Sequence, residues 1–282
     1  MNQFFGGQKK TCSKIPTVTK VYYDAAKMDG IKKKILEFNA ELNVLEGQDL
    51  IYFESLCKVL ENTQTYNRSE VSPQQVKLID KLLAFPLDKA FPCADLYRVY
   101  LMHPTAYEPF AGSDAGISYI QGLIRFINST NNPKNLILCT LRAMNNLFKN
   151  MSSQHVAFIN RQKIVDAVTP HLVNADKLVR QAGITLLMNY SSEFLSKEDQ
   201  EGRIQVISAL ATCINQETDL QNLLRASIAL GNCAYKCSEA QNLISTIGIQ
   251  FPPESQIVSA VETDAEANKK TIREIKAMLL NQ

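Results

Sequence analysis

The chain has 282 residues, of which 45% are hydrophobic and 21% charged, so disorder over its whole length is excluded. Its formal net charge of +2 is far below the basic excess that neutralises a run of phosphates, which excludes a general affinity for nucleic acid. The seven cysteines are odd in number and scattered among apolar neighbours, which predicts a reducing compartment: the cytoplasm, with the nucleus as a second location.

The first elements in chain order are a tail, an extended stretch and a helix. We expect residues 1–14 to form a flexible tail. Residues 15–29 are expected to be extended, because Val18–Tyr23 is rich in β-branched and aromatic residues. The first helix is predicted over Gly30–Leu42, and residues 30–282 are predicted to form one helical domain.

Later stretches carry apolar residues at i, i+3, i+4 and i+7, the pattern of helices with one buried face. They are Ile117–Asn128, Arg161–Leu172 and Arg203–Asn215. Ser152 and Ser153 predict a polar connection over Ser152–Asn160. A charged amphipathic helix over Asp264–Gln282 is expected to close the stack.

An internal repeat runs through the second half of the chain. Three similar apolar helices end near Asn146, Asn189 and Asn232, which are 43 residues apart, and a further step back reaches His103. A period of 43 residues falls within the roughly 40–47 of armadillo and HEAT repeats. We therefore predict an all-α, armadillo/HEAT-like solenoid, a right-handed superhelix of about six repeats.

The repeated asparagines are the first candidate binding residues. In armadillo stacks, which this pattern resembles, asparagines on the last helix of each repeat hold the backbone of an extended peptide. A carboxamide can do so because it donates to one peptide carbonyl and accepts from one peptide N–H. The resemblance implies peptide contacts at Asn146, Asn189, Asn232 and His103. The alternative is that the asparagines cap loops or bond neighbouring carbonyls.

Two arginines share the face of these asparagines. Arg142 lies four residues before the asparagine of its helix and Arg225 seven before that of its own. At 100° per residue, each arginine points within roughly 40° of its asparagine around the helix axis. Both arginines interrupt apolar runs, where an unpaired cation is costly, so we predict that each awaits an anion. The alternative is a salt bridge to an acidic residue on the next helix, such as Glu217 or Asp219.

Several short stretches are similar to the PUL domain, the carboxy-terminal armadillo domain of the phospholipase-activating protein family. The resemblance runs from about Ile15 to the end of the chain. The stretches that carry it are Ile15-Pro16, Tyr22–Ala25, Lys34–Asn39, Phe91-Pro92 with Leu96–Arg98 and His103-Pro104, Leu141–Ala143 with Asn146 and Phe148, Asn189–Ser191, and Leu224-Arg225 with Ala229–Gly231.

This resemblance implies a non-enzymatic adaptor that binds the acidic carboxy-terminal tail of the AAA ATPase valosin-containing protein in a basic concave groove. Arg142 and Arg225 fall on the two arginine positions of the family. Such an adaptor would support ubiquitin homeostasis and protein degradation. It would meet ubiquitin only through domains absent from this chain, and it would act as a monomer.

Motifs for chemistry are missing from the sequence: it holds no Cys-x-x-Cys, Gly-rich phosphate loop, HExxH or GxSxG. We expect no catalytic residue, no cofactor and no metal ligand. His155 and His171 are expected to face solvent, while Arg98 and Arg180 point away from the asparagine face and are expected to be structural or outward. The chain has no run of 18 apolar residues, so no membrane contact is expected.

Two other functions stay open. One is a transport-receptor-like solenoid that takes basic signals, which would need an acidic groove rather than arginines. The other is a recruitment module appended to a cysteine isopeptidase or a thioredoxin-like protein. That reading would need a nucleophile from outside the chain, because no cysteine here lies in a recognisable catalytic motif.

Overall fold

A computed structural model describes residues 12–112, 116–128, 131–259 and 263–280 of the chain. These residues divide between two compact units. The first unit is Val21–His171, and the second unit joins the residues up to Lys20 with those from Leu172 onward. A flexible tail is expected over residues 1–14. Residues 1–11 of it lie outside the described residues, and the first described residue, Cys12, is buried.

The first unit is built from α-helices that pack on their neighbours. In chain order they are α1 (Met28–Leu42), α2 (Gln48–Glu61), α3 (Pro73–Leu83), α4 (Phe91–Tyr100), α5 (Ile117–Ile127), α6 (Lys134–Asn146), α7 (Met151–Ile159) and α8 (Arg161–Val168). Short 3-10 helices lie at Thr63–Arg68, Pro104–Phe110 and Leu147–Lys149. Helix α4 packs against α1, α3 and α6, and α5 packs against α6 and α8. Side chains between these helices, such as Leu96, Leu123 and Leu141, are fully buried.

The second unit has α11 at its centre. Its helices are α9 (Lys177–Glu193), α10 (Gln200–Ala211), α11 (Leu220–Ala234), α12 (Ser238–Ile247) and α13 (Ala265–Leu280). Helix α11 packs against α9, α10, α12 and α13, which explains why most of its residues are buried. A helix in that position can present side chains to several neighbours at once.

Local chemistry fixes where several helices begin. Ser72 and Gln75 form a capping box ahead of α3: the serine side chain accepts from the Gln75 N–H, and the glutamine side chain accepts from the Ser72 N–H. Asp176, Asp199 and Asp219 cap α9, α10 and α11 by accepting backbone N–H groups of the first turn. Each such cap stabilises a helix by about 1 kcal/mol.

The all-helical prediction is confirmed, and within each unit the helices stack on neighbours as in a helical solenoid. Helix α1 begins two residues before its predicted start at Gly30, and α10 begins at Gln200 rather than Arg203 because Asp199 caps it. The handedness of the stack and the figure of about six repeats stay predictions.

Two sequence-based expectations are wrong. The polar connection expected over Ser152–Asn160 is helix α7, in which Val156 and Ala157 face the core. Ser153 satisfies its own hydroxyl by donating to the carbonyl of Leu147 at 2.6 Å, so a serine does not break the helix there. The imidazole of His171, expected in solvent, is fully buried with Nε2 2.7 Å from the carbonyl of Ile127.

Candidate peptide-binding site

In the second unit, Asn232 holds an extended peptide, but the peptide belongs to this chain. The fully buried carboxamide accepts from the Thr17 N–H at 3.0 Å and donates to the Thr17 carbonyl at 2.9 Å. Its Nδ2 also lies 3.2 Å from Ser191 Oγ. The predicted chemistry of the asparagine is therefore present, and its occupant is the extended segment that precedes α1, residues 15–27.

The same segment places a lysine against a buried acid in the second unit. Lys20 Nζ lies 2.6 Å from Glu193 Oε1, and the Glu193 side chain is 5% exposed. Burial alone would raise the pKa of Glu193, but hydrogen bonds from Lys20 and Lys197 outweigh it and hold the pKa below its ordinary value. The acid is therefore ionised at neutral pH and depends on its lysine partners.

A glycine allows the extended segment to approach α11 closely. A Cβ on Gly231 would lie 2.9 Å from Cδ1 and Cγ1 of Ile15. Any larger residue at 231 would push the Ile15 side chain away. The glycine beside Asn232 thus makes room for the segment that the asparagine binds.

In the first unit, Asn146 binds the segment in the same way at Tyr23. Its Oδ1 accepts from the Tyr23 N–H at 2.8 Å, and its Nδ2 donates to the Tyr23 carbonyl at 2.8 Å and to the Arg98 carbonyl at 2.9 Å. Arg98 Nη1 donates to the same Tyr23 carbonyl at 2.6 Å, while its Nε pairs with Asp95 at 2.7 Å. Arg98 is therefore structural, as predicted, although its guanidinium reaches the segment.

Arg142 lies beside Tyr23 and has no carboxylate partner in the part of the chain that the structure describes. Its guanidinium carbon is 5.2 Å from the centre of the Tyr23 ring. Its Nε is buried, and no acceptor among the described residues lies within hydrogen-bonding distance of it. The side chain is half-buried and lines a cavity of about 320 Å³, together with Lys27 and Lys34. This surface of the first unit is cationic.

Arg225 is the corresponding arginine of the second unit. Its Nη1 donates to Thr185 Oγ1 at 2.6 Å, and the half-buried side chain forms no ion pair within the described part of the chain. The two acids considered as alternative partners are engaged elsewhere. Glu217 accepts from Arg180 Nε and Nη2 at 2.8 and 3.0 Å, and Asp219 caps α11. A salt bridge from Arg225 to either acid is therefore not formed.

The other two predicted site residues, Asn189 and His103, are buried. Asn189 is fully buried within α9. His103 follows the end of α4 at Tyr100, so the step of 43 residues that predicted it overshoots the helix. Its buried ring lies 3.1 Å from Ser69 Oγ and accepts from the Thr105 N–H at Nδ1. Desolvation lowers the pKa of this imidazole, which is consistent with a neutral core histidine.

Sequence reasoning missed a helix-capping arginine in the second unit. Arg203 Nη1 donates to the carbonyls of Asn232 and Cys233 at 3.0 and 2.6 Å, and its Nη2 donates to the carbonyl of Phe194. These carbonyls lie at the carboxy-terminal ends of α11 and α9, where a cation is favoured. The helical spacing of the apolar residues in α10 gives no indication of these partners.

Burial leaves six of the seven thiols with little nucleophilic character. Burial raises the pKa of Cys57, Cys139, Cys213 and Cys233 to about 12, and it raises those of Cys12 and Cys93 as well. In the described ranges no group of three or more His, Cys, Asp or Glu side chains could hold a metal ion. Nor is any described helix long and apolar enough to cross a membrane.

Comparison with known proteins gives a family match over nearly the whole chain. The PUL domain family model matches residues 15–277. Phospholipase A-2-activating protein from Xenopus laevis is 25% identical over 269 residues, which cover 94% of this chain and 32% of that relative. The chain thus spans about a third of the length of this curated relative.

Proposed function

Because the chain belongs to the PUL domain family, a family of protein-interaction modules, we propose that it binds the acidic carboxy-terminal tail of the AAA ATPase valosin-containing protein. It acts as a non-enzymatic, monomeric adaptor in the cytoplasm and nucleus, in support of ubiquitin homeostasis and protein degradation. Contact with ubiquitin is assigned to domains outside these residues.

The observation that carries this proposal is the contrast between two kinds of arginine. Arg98 and Arg180 each pair with a carboxylate, whereas Arg142 and Arg225 have none among the described residues. A half-buried guanidinium without an anion has lost part of its hydration, and no ion pair compensates for that loss. A carboxylate supplied by a partner would satisfy its planar set of donors.

The asparagines take a different role from the one that the armadillo resemblance implied. Both hydrogen-bonding sides of Asn146 and Asn232 are used by Tyr23 and Thr17. A partner peptide would have to displace the chain's own segment to reach them. We therefore assign the acidic tail to the arginines.

The test is fluorescence anisotropy with a labelled tail peptide. Arg142→Ala and Arg225→Ala should each weaken binding by about 1.5–3 kcal/mol, the range for hydrogen bonds to charged groups, or roughly 10- to 150-fold. Arg68→Ala is the matched control, because Arg68 is an exposed arginine. A peptide with glutamine and asparagine in place of its acids controls for charge.

Thermal melts followed by circular dichroism separate binding from folding. Both arginine variants should melt within a few degrees of the parent chain, because neither side chain pairs with an acid among the described residues. Equal affinities for the parent, Arg142→Ala and Arg225→Ala would refute the assignment. A large loss of melting temperature with unchanged affinity would make these arginines structural.

A further inference from the structure

We infer that the extended segment is a permanent wall of the acidic-peptide site: Tyr23 positions Arg142, and an acidic peptide binds beside the segment without displacing it. This inference rests on the proposed function, since it concerns how that peptide is held. Tyr23 is a positioning residue here, because it acts on the ligand through Arg142.

The backbone of Tyr23 is fixed from two sides. Asn146 holds both its N–H and its carbonyl, at 2.8 Å each, and Arg98 donates to the same carbonyl at 2.6 Å. The neighbouring Tyr22 hydroxyl donates to the Phe148 carbonyl at 3.2 Å. With the backbone held in this way, the Tyr23 ring has a defined place on the surface of the first unit.

That ring is the nearest identified partner of the Arg142 guanidinium. The guanidinium carbon lies 5.2 Å from the ring centre, within the range of a cation–π contact. Residues 25–27, which begin two positions after Tyr23, line the same cavity as Arg142. The segment therefore contributes both a wall of the cavity and the surface on which its arginine rests.

The charges of the cavity fit an acidic ligand. Lys27, Lys34, Arg98 and Arg142 line it against a single lining acid, Asp95, which pairs with Arg98. Lys34 also lies 2.6 Å from Glu37, so it is partly neutralised. The remaining positive charge of Lys27 and Arg142 is available to a carboxylate.

The second unit explains why an acidic peptide would not replace the segment. Three residues after Thr17, Lys20 of the segment pairs at 2.6 Å with Glu193, a buried acid whose other partner is Lys197 at 2.9 Å. Displacing the segment would remove Lys20, and an acidic peptide would bring further negative charge to the same place. Removing one partner of a buried ion pair is strongly destabilising. Glu193 thus favours a lysine-bearing strand over an acidic one at the position of Lys20.

The experiment uses the full chain, a labelled Glu/Asp-rich peptide with a free carboxy terminus, and two variants of Tyr23. Tyr23→Phe keeps the ring and should bind like the parent. Tyr23→Leu keeps apolar bulk but removes the ring face, and it should weaken binding by about 3- to 10-fold, as expected from loss of one cation–π contact. Melting temperatures of the two variants should agree, so that a loss of affinity reports on Arg142.

Hydrogen exchange measured by mass spectrometry gives the second readout. Peptide addition should leave exchange over residues 15–24 unchanged or slower, because the segment stays bound. Faster exchange there, or equal affinity of Tyr23→Leu and the parent, would overturn the inference while leaving the proposed function intact. If the parent chain does not bind the peptide, the proposed function fails, and the inference fails with it.

Discussion

The contact between Asn232 and Thr17 can be tested by truncating the asparagine. Asn232→Ala removes two hydrogen bonds to Thr17 and one to Ser191. At about 0.5–1.5 kcal/mol for each bond, the loss in unfolding free energy should be about 2–4 kcal/mol. The Thr17 groups are half-buried and can regain water, which places the expected value in the lower half of that range.

Ser191→Ala provides the matched control for this truncation. It removes the serine contact to Asn232 and a local bond to Met188, but leaves both bonds to Thr17 in place. Urea unfolding followed by circular dichroism should therefore show a cost of about 1–3 kcal/mol for the two bonds that are lost, lower than that of Asn232→Ala by about one hydrogen bond. If the two variants lose equal stability, the contact with Thr17 contributes no free energy and our account of the segment is incorrect.

Three further predictions address charge and burial. Affinity for the acidic peptide should fall between about 50 and 500 mM salt as screening increases, and a salt-insensitive complex would place the interface elsewhere. Glu217→Ala should cost about 3–5 kcal/mol in urea unfolding, because it leaves Arg180 and several donors unpaired; a cost below 1 kcal/mol would mean that water replaces the acid. Burial lowers the pKa of His171, so the unfolded chain binds more protons and stability should fall as pH drops from about 7 to 5. Melting curves should show a weaker pH dependence for His171→Gln, whereas the exposed His155→Gln should match the parent.

Helical content and the face that carries the asparagines could be predicted from sequence, because both depend on spacing within one helix. A peptide-binding role for Asn146 and Asn232, by contrast, is implied by the resemblance to armadillo stacks. Their occupant could not be predicted, since Thr17 and Asn232 are 215 residues apart and no local pattern records which distant segment fills a groove. The hydrogen-bonding groups of the asparagines can be read from the local sequence, but the segment that they bind cannot.

Side-chain length limits predictions made from helical angles alone. Helix geometry predicts that Arg98 points away from the asparagine face, and its backbone position agrees with a structural role. Its side chain nevertheless reaches the Tyr23 carbonyl, because a guanidinium can extend beyond the position of its own Cα. For His103 the repeat spacing is misleading. The step of 43 residues predicts a position on a helix, but α4 has already ended at Tyr100.

The contact between Thr17 and Asn232 also sets the order in which this protein can be completed during synthesis. Translation at about 5–20 residues per second leaves roughly 10–40 s between the appearance of these two residues. Throughout that interval the strand-like stretch around Thr17 has been made while its partner Asn232 on α11 has not. This stretch must therefore be kept from aggregation or proteolysis until α11 has left the ribosome. Limited proteolysis of ribosome-bound chains of increasing length should show protection of this stretch only after α11 has emerged.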